Sequence, residues 1–117
     1  MKRVLLKSKL HRVRVTGAAL DYVGSLGVDQ NLLDAAGLVE FEKVLVANVR
    51  NGERFETYVV PRPRGSGDVI VLGAAAHLAA SGDLLIVLSF GIMDDTEVAA
   101  HTPRIVFVDE RNQPRTA

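Results

Sequence analysis

The sequence has 117 residues, 48% of them apolar, which suits one globular domain with its own core. Lys plus Arg and Asp plus Glu each count 14, so the chain lacks the basic excess typical of nucleic-acid-binding proteins. Cysteine is absent, which excludes disulfides, and no apolar run approaches the roughly 20 residues of a membrane span. The basic start precedes only a short apolar run, Val4 to Leu6, so we expect no signal peptide, no membrane partner and a cytoplasmic location.

The sequence pattern in the first third of the chain predicts a strand and a short helix. Residues 2–16 are rich in β-branched residues and end in a clear polar–apolar alternation, which is typical of a strand. A helix is expected over residues 30–36, because Asp29 is a good N-cap and Gly37 suits the helix end.

The rest of the chain predicts a hairpin, further strands and brief helical turns. Asn51-Gly52 is a strong turn signal, so residues 43–50 and 53–60 should pair as a β-hairpin, followed by a loop over 61–67. Further strands are expected at 69–72, 84–90 and 105–108, with helical turns starting at Gly73 and near Asp94. The pattern therefore predicts one mainly β domain over residues 1–117, a barrel of about six strands.

The segment Tyr22-Val23-Gly24-Ser25 offers unusual chemistry, although a Gly-Ser pair alone is most often a turn, as expected at Gly65-Ser66. A serine hydroxyl can attack the preceding carbonyl and convert the peptide bond into an ester. Elimination of that ester breaks the chain and leaves dehydroalanine, which hydrolyses to a pyruvoyl group. Glycine before the serine tolerates strained backbone and leaves the carbonyl open to attack. The new ketone could then act as a covalent electron sink.

The second hairpin strand carries candidate binding and proton-donating groups. Strand alternation puts Arg54 and Tyr58 on one face, together with Glu56. Arginine fits a carboxylate with a bidentate fork, and tyrosine holds a proton at neutral pH. Thr57 falls on the opposite face, so it could join the same site only through a bulge or across a subunit interface. An exposed arginine and a half-buried tyrosine would be the ordinary alternative.

Two further elements could contact an anionic substrate. Lys9 and His11 share a strand face and place a cation beside a titratable imidazole. Gly73-Ala74-Ala75 opens a helical turn whose free backbone N–H groups attract carboxylates, and its small side chains permit close approach. A solvated strand face and ordinary alanine packing are the alternatives for these two elements.

Taken together, these motifs resemble the bacterial, pyruvoyl-dependent aspartate 1-decarboxylase family. The resemblance covers nearly the whole chain in order and spacing. Its motifs are Lys7-Ser8-Lys9-Leu10-His11-Arg12, Tyr22-Val23-Gly24-Ser25, Asp29-Gln30, Leu33-Asp34-Ala35-Ala36-Gly37, Asn51-Gly52, Thr57-Tyr58, Arg64-Gly65-Ser66-Gly67, Gly73-Ala74-Ala75-Ala76-His77 and Gly82-Asp83. The resemblance implies a six-stranded double-psi β-barrel with short helices. It also implies a homotetramer whose active sites lie between neighbouring subunits.

The resemblance implies a proenzyme that is cut between Gly24 and Ser25 into a β chain, 1–24, and an α chain, 25–117. Ser25 becomes the pyruvoyl cofactor, which binds L-aspartate as a Schiff base, and neither a metal nor PLP is needed. The product, β-alanine, supplies pantothenate and hence coenzyme A. Cleavage could be autocatalytic or need a maturation factor.

The implied roles of the other residues follow by position. Tyr58 protonates the intermediate after loss of carbon dioxide, and Thr57 acts in processing and in substrate binding. Backbone groups of Gly73, Ala74 and Ala75 contact the substrate, and Lys9 and Arg54 hold a carboxylate. That carboxylate should be the retained side-chain group, because a strong cation on the departing α-carboxylate would favour the ground state. We therefore expect Arg54 to bind the side-chain carboxylate.

Two positions depart from the family pattern. Leu72 stands where the family usually has asparagine, and Asp21 where many members carry histidine. Two alternatives therefore stay open: a non-catalytic barrel that serves as a binding or assembly module, and a pyruvoyl decarboxylase for another amino acid. Metal hydrolysis is disfavoured, because the histidines at positions 11, 77 and 101 form no HxH or HExxH pattern.

Overall fold

The computed structural model describes residues 1–115 and consists mainly of β-strands in one curved sheet. The strands are β1 Lys2–Arg14, β2 Gly17–Ala19, β3 Ser25–Asp29, β4 Lys43–Asn48, β5 Arg54–Arg62, β6 Val69–Leu72, β7 Leu84–Asp94, β8 Arg104–Val108 and β9 Pro114–Arg115. The helices are α1 Gln30–Ala36, a 3₁₀ helix Gly73–His77 and α2 Asp95–Val98. The predicted mainly β, barrel-like class is confirmed. The last two residues of the expected α chain, 116 and 117, lie outside the described residues.

The sheet mixes parallel and antiparallel neighbours in the order β2-β6-β3-β5-β4-β7-β1-β8-β9. β3 lies between β5, which runs parallel to it, and β6, which runs antiparallel. Alternate side chains of the strands point inward and form the core, in which Leu10, Leu26, Val46, Val59 and Leu85 are fully buried. Non-local pairing thus brings β3 against the middle of the chain, and β1 against β7 and β8 in its last third.

All six strands predicted from the sequence are present, and the Asn51-Gly52 turn joins β4 and β5 as an antiparallel hairpin. The short helix has its predicted bounds: the Asp29 carboxylate accepts a hydrogen bond from the Asn31 N–H, and Gly37 ends the helix at φ 69°. The predicted loop over 61–67 is wrong at its first two residues. β5 continues through Arg62 because it pairs with the end of β3.

The three strands that the sequence did not predict are short: β2, β3 and β9. β3 matters most for function, since it begins at Ser25 and is buried along its whole length. It ends at Asp29, whose carboxylate accepts hydrogen bonds from the N–H groups of Gly65 and Gly67 and from the Gln113 amide, besides Asn31. Within residues 1–115, no helix has both the length and the apolar character needed to cross a membrane.

Candidate active site around Ser25

Ser25 is held at the start of β3 by neighbouring strands on both sides. It pairs with Leu72 of β6, and the next residue, Leu26, pairs with Val59 of β5. The residue is 4% exposed, yet its hydroxyl makes a single hydrogen bond among the described residues, a long one of 3.5 Å to the Val23 carbonyl oxygen. The backbone of Ser25 is therefore fixed, while its hydroxyl is free to rotate toward the preceding peptide group.

The start of the 3₁₀ helix lies directly against the Gly24–Ser25 bond. A Cβ atom added to Gly73 would be 2.6 Å from the Gly24 Cα and 3.0 Å from the Gly24 nitrogen. Gly73 also has φ 77°, a backbone conformation that favours glycine. Only glycine therefore allows this approach, and the structure brings Gly73 to the predicted cleavage point.

Ser25 and Tyr58 line the same cavity, of about 520 Å³. Its lining residues are Ala19, Tyr22, Val23, Ser25, Phe41, Tyr58, Val60, Pro61, Arg62, Ile70 and Leu72. The walls are mostly apolar, with three hydroxyl groups and one cation. The Tyr58 ring packs near Phe41, with ring centroids 6.1 Å apart. The two residues predicted to be catalytic are thus brought together within one chain.

The predicted cations lie elsewhere. Lys9 of β1 pairs with Leu88 and Ile105, and Arg54 stands exposed at the start of β5; neither lines the Ser25 cavity of its own chain. Alternation along β5 follows the prediction, because Val59 is buried while Arg54 is exposed. The substrate roles of Lys9 and Arg54 stay predictions.

The remaining predicted contacts lie near the cavity without lining it. Thr57 is half-buried and pairs with Val44, whereas Ala74 is exposed and Ala75 is half-buried against the core. Their roles stay predictions. No cluster of three metal-ligating side chains occurs within residues 1–115, and the expected absence of a metal cofactor also stays a prediction.

His11 lies apart from Ser25, in a separate cavity of about 240 Å³. Burial lowers the pKa of its imidazole from the ordinary value, and the positive charges of Lys9 and Arg12 lower it further. The ring packs edge-on against Phe107. The predicted pairing of a cation with an imidazole is therefore present, and it favours neutral histidine at physiological pH.

Sequence analysis missed several cavity residues, notably Phe41, Val60, Arg62 and Ile70. Val60, Arg62 and Ile70 reach the site because β3 pairs with β5 and β6, contacts between residues more than 30 positions apart. Phe41 is held there by its backbone N–H, which donates to the Val59 carbonyl oxygen of β5. No local pattern carries that information. Leu72 was noticed only as a departure from a family motif, and the structure places it opposite Ser25.

Comparison with known proteins agrees with this geometry. A family model described as "Aspartate decarboxylase" matches residues 1–115. Proteins named aspartate 1-decarboxylase from Bordetella pertussis and Chromobacterium violaceum are 52% and 53% identical to this chain, each over 97% of it and over 93% and 90% of their own length. A protein of the same name from Heliobacterium modesticaldum is 50% identical over 97% of this chain and 86% of its own.

Proposed function

The chain belongs to the aspartate decarboxylase family, as its motifs predicted, and we propose that it converts L-aspartate into β-alanine and carbon dioxide at the Ser25 cavity. About half of its residues are identical to those of aspartate 1-decarboxylases over nearly the full chain. The reaction makes it a carboxy-lyase. Its product supplies pantothenate biosynthesis.

One observation carries the proposal: Ser25, the residue after the bond to be cut, lines the same cavity as Tyr58. The residues fit a pyruvoyl group at position 25. Gly73 leaves room beside the bond to be cut, and the Ser25 hydroxyl is not fixed by a strong hydrogen bond. A pyruvoyl group supplies a ketone that takes up the electrons released by decarboxylation.

Formation of that group uses only this chain and water. The Ser25 Oγ attacks the Gly24 carbonyl carbon, and the peptide bond is replaced by an ester. Loss of the Ser25 α-proton then expels the Gly24 carboxylate and leaves dehydroalanine. Water adds to its tautomer and ammonia departs, which gives a β chain of residues 1–24 and an α chain that starts at position 25. We propose that Thr57, on the neighbouring strand β5, assists this processing.

Tyr58 is the proposed proton donor. Its phenol O–H is a hydrogen-bond donor that can deliver a proton to the carbon that has lost carbon dioxide. The Gly73, Ala74 and Ala75 backbone is proposed to bind a carboxylate at the start of its 3₁₀ helix.

We propose that Arg54 and Lys9 reach the substrate from neighbouring subunits of a homotetramer. This is supported by the outer face of the sheet, where Val4, Phe90 and Ile92 are 67%, 47% and 72% exposed on adjoining strands. Such an apolar strip favours association of copies. A cytoplasmic location is part of the same proposal, which covers both autocatalytic cleavage and cleavage that a maturation factor accelerates.

The test is a decarboxylation assay on purified, processed protein. L-aspartate should give β-alanine and carbon dioxide in equal amounts, and L-glutamate and L-alanine should give far less. Absence of product from aspartate in fully cleaved protein would contradict the proposal and favour a binding module. Faster turnover of another amino acid would instead indicate the second alternative, a decarboxylase with another substrate.

Arg54→Lys tests which carboxylate that residue binds. If Arg54 holds the side-chain carboxylate, the variant should lose activity on aspartate and leave slow turnover of shorter amino acids unchanged. Equal losses on both substrates would show that the assignment is wrong.

A further inference from the structure

Arg62 is the single charged residue that lines the Ser25 cavity in the part of the chain that the structure describes. It stands at the end of β5, on the strand that also carries Tyr58. The other lining groups are apolar or carry only a hydroxyl. A substrate with two carboxylates that enters such a cavity loses hydration and gains from a fixed cation. In one chain, Arg62 is the group placed to provide it.

The side chain of Arg62 lies across β3 because Gly27 has no side chain. A Cβ atom at Gly27 would be 3.0 Å from the Arg62 Cδ and 3.1 Å from its Cγ. Gly27 is two residues beyond Ser25, so both residues face the same side of β3, roughly 7 Å apart along the strand. The arginine stem therefore runs along the same face that Ser25 presents to the cavity.

Asp68 positions the Arg62 guanidinium and leaves most of its N–H donors available. The Arg62 Nε donates to the Asp68 Oδ2 at 3.2 Å, which uses one of five N–H donors. Its two terminal nitrogens have no hydrogen-bond partner among residues 1–115, and the side chain is 42% exposed. Arg64, two residues away, differs: its Nη1 donates to Asn31 and Asp34 at 2.8 and 2.7 Å, and it does not line the cavity.

We propose that Arg62 binds the side-chain carboxylate of the substrate at the cavity wall, beside the Arg54 proposed to come from a neighbouring subunit, and so strengthens the preference of this chain for dicarboxylic amino acids. The proposal rests on the proposed function, since it names a recognition residue for that reaction. The bound carboxylate is a group that stays unchanged in the reaction. Arg62 therefore strengthens substrate binding and leaves the chemical step nearly unaffected.

The test compares Arg62→Gln, Arg62→Lys and the matched control Arg64→Gln as processed enzymes. Succinate is the binding probe, because it has two carboxylates and no amino group and so does not react at position 25. In Arg62→Gln, the calorimetric Kd of succinate and the KM of L-aspartate should both rise about tenfold, with kcat within about twofold of the parent. Arg62→Lys keeps the positive charge but loses the bidentate guanidinium, so the Kd of succinate and the KM of L-aspartate should each rise about threefold. Arg64→Gln should match the parent.

The outcomes separate this inference from the proposed function. A parent protein that is uncleaved, or cleaved and inactive, would contradict the proposed function whatever Arg62 does. An active parent whose Arg62→Gln and Arg62→Lys variants bind succinate normally would overturn the role of Arg62. A fall in kcat with unchanged succinate binding would overturn it too. Circular dichroism checks folding, and the milder Arg62→Lys variant decides the matter if Arg62→Gln does not fold.

Discussion

The two ends of strand β3 are built in opposite ways. At its end, the Asp29 carboxylate is fully buried and accepts four hydrogen bonds of 2.8 to 3.0 Å. At its start, Ser25 is nearly as buried, but within residues 1–115 its hydroxyl makes one hydrogen bond, of 3.5 Å. The first end fixes the strand, and the second leaves a reactive group unsatisfied at a fixed position. The hydrogen bonds at Asp29 therefore fix the position of the β3 backbone, and Ser25 keeps its place although its own hydroxyl is weakly bonded.

The electrostatics of Asp29 follow from the same construction. Burial opposes ionisation of its carboxyl group, but hydrogen bonds from Gln113, Gly67, Asn31 and Gly65 outweigh burial and hold the pKa below the usual value. Asp29 thus stays charged. Its hydrogen bonds connect β3 to α1, to the 63–68 loop and to the segment before β9. One carboxylate thus ties the end of the strand that presents Ser25 to three other parts of the chain.

The largest expected effect comes from Ser25→Ala, which removes the reactive hydroxyl at the start of β3. The variant should fold and remain one uncut chain with no decarboxylase activity, because no hydroxyl can attack the Gly24 carbonyl. Denaturing gel electrophoresis measures the cleavage. Ser66→Ala is the matched control, since Ser66 also follows a glycine but lies exposed in a loop, and it should be cut normally. Cleavage of Ser25→Ala would contradict the account.

Gly73→Ala should slow cleavage about a hundredfold, because the new methyl group collides with Gly24. Gly52→Ala is the control: Gly52 has φ 73°, like Gly73, yet nothing lies within 4 Å of an added Cβ. Both variants should lose about 1–2 kcal/mol of stability from the backbone conformation. Timed gels and denaturant unfolding separate the two effects. Equal cleavage rates in the two variants would remove Gly73 from the processing site.

Asp29→Asn addresses the rigid end of the strand. The amide nitrogen of asparagine would face N–H donors that now bond a carboxylate oxygen, and some of these donors would lose their acceptor. The free energy of unfolding at pH 7 should therefore fall by about 2–4 kcal/mol. Cleavage should become slower but not stop. Asp34→Asn, an exposed change in the adjoining helix, should leave stability almost unchanged. Urea unfolding gives the measurement, and a fully stable Asp29→Asn variant would show that Asp29 does not anchor β3.

The pH dependence of that loss has a defined sign. A carboxyl group whose pKa is lower in the folded state stabilises the fold above its unfolded pKa, and the gain disappears as pH falls through the folded value. The stability gap between parent and Asp29→Asn should therefore be full at pH 6 and shrink progressively below about pH 4. Urea unfolding from pH 7 to pH 3 tests this. A gap that widened on acidification would contradict the lowered pKa of Asp29.

Leu72→Asn gives the smallest expected change. Leu72 faces Ser25 across the β3–β6 pair and is 8% exposed, so asparagine would add an amide donor and acceptor to the cavity wall. Cleavage or turnover should rise by a few-fold, an effect of about 1 kcal/mol. Rates of fragment formation and of β-alanine release measure it. Lower rates in this variant would show that the apolar wall itself favours the reaction.

Local signals in the sequence predicted most of the fold. The cap at Asp29, the stop at Gly37 and the Asn51-Gly52 turn all depend on nearby residues, and each was confirmed. β3 escaped prediction because its five residues are buried on both faces and show no alternation. Its neighbours β5 and β6 come from distant parts of the chain, which also explains why Arg62 and Ile70 were missed as cavity residues.

The candidate site was predicted in part. Ser25, Tyr58 and Gly73 carry chemical or motif signals, and the structure brings all three to one region. Arg54 and Lys9 have the right chemistry but lie outside the cavity of their own chain. Alternation along β5 left Thr57 two routes to the site, a bulge or a subunit interface, and no local pattern distinguishes them.

Intact-mass spectrometry of the purified, denatured protein tests the central claim most directly. The account predicts two fragments divided between Gly24 and Ser25, the larger lighter by one ammonia than the product of simple hydrolysis. That mass difference identifies a pyruvoyl group at position 25. A single chain of full mass after prolonged incubation, including incubation with cell extract that could supply a maturation factor, would contradict it.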